Sequence, residues 1–278
     1  MSFLKRFARN RGAVIGLVLL LILIAFAIIA PYLYPQSPWR VVGRPFLPPF
    51  GLERLPLGTD SLGRDIASGL VHGARVSLMI GAVSTLVALL IGVPLGAIAG
   101  YAGGIVDDVL MRFTEFFQTI PSFALAIVLV AILQPTLGSI VLAIGIVSWP
   151  PVARLVRGEV LSLRTREYVL AAVTLGQSTT RIIFSQILPN AIAPIVVLGS
   201  LMIASAVLLE SALSFLGLGD PNRMSWGYMI GAGRARLLDA WWISFFPGLA
   251  IFLTVLALNL AGEGLNDALN PRLSRGRS

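Results

Sequence analysis

Uncharged runs and polar interruptions alternate along this 278-residue chain, and the runs are too long for a soluble domain. Gly12 to Ala30 holds 19 residues without a charge, about 28 Å as a helix, which suits a hydrocarbon core of about 30 Å. Residues 31–75 then turn polar, with Pro31, Pro35, Pro38, Pro45, Pro48, Pro49 and Pro56, and predict an ordered loop rather than a long helix. A second span is predicted from Val76 to about Gly100, interrupted by Pro94. After a short connection carrying Gly103-Gly104, residues 116–153 form 38 uncharged positions, enough for two spans and too many for one. Gln134-Pro135-Thr136-Leu137-Gly138 is the natural break, so a third span is expected near 117–133 and a fourth near 138–156. A fifth is expected from about 190 to 210, after Pro189, and a sixth from Ala240 to Gly262, with a Gly-rich polar stretch at 211–239 between them.

The segment Arg154 to Pro189 breaks this rhythm with five arginines and an Ala/Gly-rich, helix-prone sequence between apolar runs. A membrane protein that keeps such a segment outside the bilayer is expected to touch something with it. Basic residues orient the chain. With the N-terminus inside, 13 of the 21 Lys and Arg fall on inside segments and 8 on outside loops, so both termini and 154–189 are expected in the cytoplasm. Ala25-Phe26-Ala27 resembles a signal-peptide cleavage site, but the apolar run continues through Ala30, and a retained first span is expected. Trp149, Trp226, Trp241 and Trp242 are expected as interfacial anchors.

Composition agrees. Hydrophobic residues make up 56% and charged residues 12%, against about 25% charged in soluble domains. The net charge of +8 is explained by arginines at span ends rather than by nucleic-acid binding. Several chemistries are excluded by simple counts. The only lysine is Lys5, so no phosphate-gripping Walker A loop exists; the only histidine is His72; there is no cysteine. Asp107-Asp108 lacks the second acidic cluster that a magnesium–diphosphate transferase needs. No catalytic residue, cofactor or metal site is assigned.

Several blocks carry a specific resemblance. They include Pro56-Leu57-Gly58-Thr59-Asp60-Ser61-Leu62-Gly63-Arg64-Asp65, Gly73-Ala74-Arg75-Val76-Ser77-Leu78, and Met111-Arg112. They continue through the loop from Arg166 to Asn190, Glu210-Ser211-Ala212-Leu213-Ser214-Phe215-Leu216-Gly217-Leu218-Gly219, Ser225-Trp226-Gly227, and Pro247 to Arg272. In that order they resemble permease subunits of the ATP-binding-cassette importers for dipeptides, oligopeptides and nickel, and the opening span-then-loop resembles the C-type subunit. The resemblance implies an all-α integral membrane protein of six transmembrane helices with the type I importer fold. It also implies a division into 1–75 (tail, first helix and extracytoplasmic loop), a five-helix core at 76–262, and a cytoplasmic tail at 263–278. Implied partners are a second permease, two cytoplasmic ATPases and an extracytoplasmic solute-binding protein, within the lipid of the inner membrane.

Relatives of that family carry Glu-Ala-Ala, three residues and Gly, then Leu-Pro about a dozen residues later, in a short coupling helix that docks on the ATPase. Here the matching positions are Ala171, Ala172, Gly176, Leu188 and Pro189. Leu170 stands at the usual glutamate and Val173 where a basic residue is common, while Glu167 lies one turn earlier. Docking is therefore expected to lean on apolar contact. Gly176 is expected to end the helix, Ser178 or Thr179 to cap the next, and Pro189 to break helix regularity before the fifth span. Asp60, Arg64, Asp65 and Arg75 are expected to form an ion-pair network holding the outer loop on the bundle. Glu210, at the outer end of the fifth span, either marks a pathway or hydrogen-bonds the neighbouring Gly-rich loop. Small peptides are the expected cargo, with nickel or another small solute as alternatives. An ion-gradient-driven secondary transporter is the competing class; no inverted repeat supports it.

Overall fold

The computed structural model describes residues 3–269. In chain order the helices are α1 (Phe3–Arg9), α2 (Arg11–Leu33), α3 (Ile66–Ala102), α4 (Gly104–Thr119), α5 (Ser122–Leu133) and α6 (Leu137–Leu163). There follow α7 (Glu167–Thr174), α8 (Thr179–Ile182), α9 (Leu188–Leu213), α10 (Trp226–Gly233) and α11 (Trp242–Leu269). Among the described residues there is no β-strand, only isolated bridges pairing Val41 with Arg64 and Thr59 with Asp65. By length and composition α2, α3, α6, α11 and the continuous helix Thr179–Leu218 suffice to cross a membrane. The bent pair α4–α5 makes a sixth span if counted as one.

The core is built on α3, whose buried positions are mostly Gly, Ala, Ser and Thr. Without water to drive apolar faces together, helices in lipid associate where small residues let backbones approach. Gly92, Gly96 and Gly100 stand four apart against α6: Cβ atoms there would meet Val152, the Ala153 carbonyl and the Arg157 carbonyl within 3 Å. Further out, Gly81 faces Ile203 and Val207 of α9, and Gly73 faces Trp226 of α10. The first span, α2, packs on α11, with Gly16 against Ala257 and Leu260 and Gly264 against Ala13. Asn10 caps α2 through Ala13 N–H at 3.1 Å and donates to Asp267 of α11 at 3.0 Å.

Several expected boundaries move. The second span begins at Ile66 rather than Val76, because Asp65 caps it and the residues after it are already helical. It also runs unbroken through Pro94. The third span is not one rod at 117–133. α4 stops at Thr119, Ile120 is extended (φ −86°, ψ 125°) ahead of Pro121, and α5 leaves at 84°. Proline disfavours helical geometry in the residue before it, and an uncharged run cannot show whether the chain turns there. α6 continues seven residues past the expected end at 156, and α11 continues through 263–269 of the expected tail; Arg272, Arg275 and Arg277 lie outside the described residues. Trp149, Trp226 and Trp242 are buried, so only Trp241 is exposed as an anchor would be.

Candidate functional site

At the end of the bundle that holds Asn10 and Asp267, α6 delivers the chain into the Arg154–Pro189 segment. Two arginines of α6 fasten this end. Arg157 grips Asp107 of α4 through Nε at 2.5 Å and a second nitrogen at 2.6 Å, and Arg164 donates to the Gly100 and Tyr101 carbonyls that end α3. Such a two-pronged, charge-assisted bond fixes orientation as well as distance. In the sequence Asp107 stands out only as half of an acidic pair with Asp108. Its partner Arg157 lies 50 residues away, so no local pattern announces the contact.

α7 is short and two-sided. Val169 and Ala172 turn inward onto a cluster with Val160, Ile182 and Ile187. Outward it exposes Tyr168, Leu170 (54%), Val173 (51%) and, just past its end, Leu175 (79%). Glu167 and Ala171 are exposed, as is Gly176. Gly176 adopts φ +72°; its N–H bonds the Val173 carbonyl at 2.9 Å and the Gln177 N–H bonds Ala172 at 3.1 Å, the paired bonds of a Schellman stop. Ser178 sits at the start of α8, yet its side chain makes no capping bond.

Pro189 does not interrupt the helix. From Ile183 to Ile187 the chain widens into a π turn, with the Leu188 N–H bonded to the Ile183 carbonyl, and α9 continues directly with Leu188 half-buried and Pro189 exposed. The wide turn absorbs the bond that proline cannot donate. From Thr179 onward the end of the loop and the fifth span are thus one continuous helix.

The opposite end contains the outer motif. Asp60 accepts the Leu62 and Arg64 N–H groups at 2.8 and 2.9 Å and pairs with Arg64 Nε at 2.5 Å, with Arg64 almost wholly buried. The Arg64 guanidinium lies over Trp39 at 5.1 Å and Tyr228 at 5.8 Å. Asp65 takes part in no ion pair among the described residues; it caps α3, and burial pushes its carboxyl above the ordinary range. Arg75 is exposed and pairs with none of the described residues. The expected four-membered network therefore reduces to Asp60–Arg64, since Asp65 and Arg75 sit on α3 with other surroundings.

Glu210 is only 1% exposed and accepts from the hydroxyls of Ser225 at 2.7 Å and Ser214 at 2.8 Å. Ser225 in turn accepts the Tyr228 N–H at the head of α10, and Gly227 packs so closely that a Cβ would lie 2.9 Å from the carboxylate. Of its two expected readings, the contacts are those of a carboxylate bonded to the segment after α9.

Residues 92–275 match the family described as binding-protein-dependent transport system inner membrane component. Residues 2–49 match the N-terminal TM domain of oligopeptide transport permease C. The di/tripeptide transport system permease DppC of Pseudomonas aeruginosa is 44% identical over 98% of this chain and 92% of its own length. The dipeptide permease DppC of Bacillus subtilis is 42% identical over 98% and 85%, and the oligopeptide permease OppC of the same organism 39% over 97% and 88%. Among solved structures, a chain of the inward-facing MetNI methionine ABC transporter superposes with TM-score 0.60 at 19% identity, covering 72% of this chain and 96% of that one. With the helical bundle, the projecting α7 segment and these matches together, the chain belongs to the inner-membrane permease subunits of the binding-protein-dependent ABC importers.

Proposed function

We propose that this chain lines half of the membrane pathway of an ATP-driven importer for small peptides, with a second permease completing it. Two cytoplasmic ATPases dock on the 160–189 segments, and an extracytoplasmic binding protein presents the solute. The reading rests first on one observation: α7 exposes Tyr168, Leu170, Val173 and Leu175 at the end of the bundle that holds Asn10 and Asp267, an apolar patch that a soluble partner would cover. The peptide cargo is supported by the names of the relatives, which transport dipeptides, tripeptides or oligopeptides. Both termini lie in the cytoplasm in this reading, supported by the excess of basic residues at that end. The core follows α3 through α11, and the chain itself carries out no covalent chemistry.

ATP binding draws the ATPases together, and the rigid α8–α9 rod carries that movement into the pathway; the ligand acts by differential affinity for two states. The test is uptake of labelled dipeptide by vesicles holding the full complex. Uptake should require ATP and both permeases. Uptake driven by an ion gradient through this chain alone would overturn the proposal.

A further inference from the structure

Between α2 and the core lies an open-sided apolar cavity of about 660 Å³, separate from the coupling segment and the outer motif. One wall is a stripe of α2: Leu20, Ile24, Ile28 and Tyr32, four apart, so the stripe runs about 18 Å along the helix. That is close to the depth of one leaflet, half of a hydrocarbon core of about 30 Å. The facing wall is Arg75, Met79 and Ala82 of α3, with Leu258 of α11 in the floor. The end is located by His72, whose Nε2 meets the Tyr34 carbonyl at 3.0 Å where α2 finishes. Arg75 stands one turn inward of that contact, at the level of Tyr32 and therefore of the membrane interface. It is exposed and ion-paired with none of the described residues.

A permanently charged guanidinium at the rim of a greasy slot one leaflet long is complementary to one class of molecule. We propose that the cavity binds a membrane phospholipid, its acyl chain along the α2 stripe and its phosphate on Arg75. Arginine at the interface suits phosphate because it offers forked donors and stays charged when partly desolvated. The bound lipid fills the open part of the space between the first span and the core, adding to the direct contacts that α2 already makes with α3.

The complete importer, reconstituted in discs of phosphatidylethanolamine and phosphatidylglycerol with a trace of phosphatidylglycerol bearing a photoreactive acyl chain, provides the test. Irradiation should label α2 and α3 around Ile28 and Ala82. Arg75→Gln should lower that labelling about fivefold, the scale of one cation at a membrane surface, while Arg75→Lys retains most of it. Ala82→Trp should abolish it with the head-group contact intact. Equal labelling in wild type and all variants would overturn the proposal. So would a photoreactive residue at Ile28 that crosslinks to the second permease instead of lipid.

Discussion

A Cβ built on Gly96 would lie 2.4 Å from the Ala153 carbonyl oxygen and 2.8 Å from the Val156 Cβ, so any larger residue must pry α3 from α6. Gly176 meets nothing within 4 Å, and only its φ of +72° demands glycine. The two positions should therefore separate cleanly. Gly96→Val is expected to cost about 3 kcal/mol or more, as overpacking against backbone does, and to lower the melting temperature of the detergent-purified protein sharply. Gly176→Ala should cost about 1–2 kcal/mol locally and leave the melt nearly unchanged. Equal melting temperatures for the two would refute the packing account. A similar contrast holds between two neighbouring aspartates. Because burial raises the Asp65 carboxyl, the folded state holds its proton more tightly than the unfolded one. That contribution is present at low pH and lost as pH rises through the folded pKa. Asp65→Asn, which keeps a capping oxygen, should thus match or exceed wild-type stability at pH 7, and the advantage should shrink towards about pH 4. Asp60→Asn should be destabilising at neutral pH, since it leaves the buried Arg64 guanidinium charged and without its counter-ion. A D65N melt well below wild type at pH 7 would contradict this. From sequence, Asp60 and Asp65 looked like members of one network, because spacing reveals proximity but not which oxygen faces a backbone N–H. The Arg157–Asp107 clamp was illegible for a plainer reason, its 50-residue separation.

At the level of elements, α7 exposes apolar side chains, and in the proposed reading these are what the ATPase covers. Leu170 and Val173 are half exposed, and Glu167 pairs with none of the described residues. Burying a leucine against a partner is worth about 1.5–3 kcal/mol, at least tenfold in affinity. Leu170→Ser should therefore weaken ATPase binding by about tenfold or more, while raising salt should change wild-type binding little. Both are measured by titrating the purified ATPase onto the permease pair in lipid discs. A steep salt dependence would restore a charge-based dock. Helix existence was largely legible from the chain, because uncharged runs of membrane length leave little choice. Helix direction was not. Pro121 and Pro189 were both in view, yet one bends the chain by 84° and the other is absorbed by a π turn. The difference lies in what neighbours can satisfy: after Ile120 the backbone is extended, whereas the Leu188 N–H finds the Ile183 carbonyl one residue further back.

Across the whole molecule, α3 acts as the spine. Residues four apart on a helix fall about 40° further round at each step, so its row of small residues turns as it descends. Gly73 thereby meets α10, Gly81 meets α9, and Gly92, Gly96 and Gly100 meet α6. The outer motif rides on the start of this spine through the Asp65 cap, and the segment beside α7 is clamped to its end through Arg164 and to the adjoining α4 through Arg157. Backbones packed this closely cannot slide without lifting each glycine over a carbonyl or a valine. α3 and α6 should then move as one body through the transport cycle, with the change taken up at the interface with the second permease. The chain contains no cysteine, so labels can be placed without removing native thiols. Spin labels on exposed Leu90 of α3 and Leu142 of α6 should give the same distance distribution in nucleotide-free and ATP-trapped complexes. A label pair joining Leu90 to the second permease should shift between the two states. If the Leu90–Leu142 distance instead changed by about 5 Å, the size of a one-turn ratchet, the glycine row would be a sliding track and not a weld.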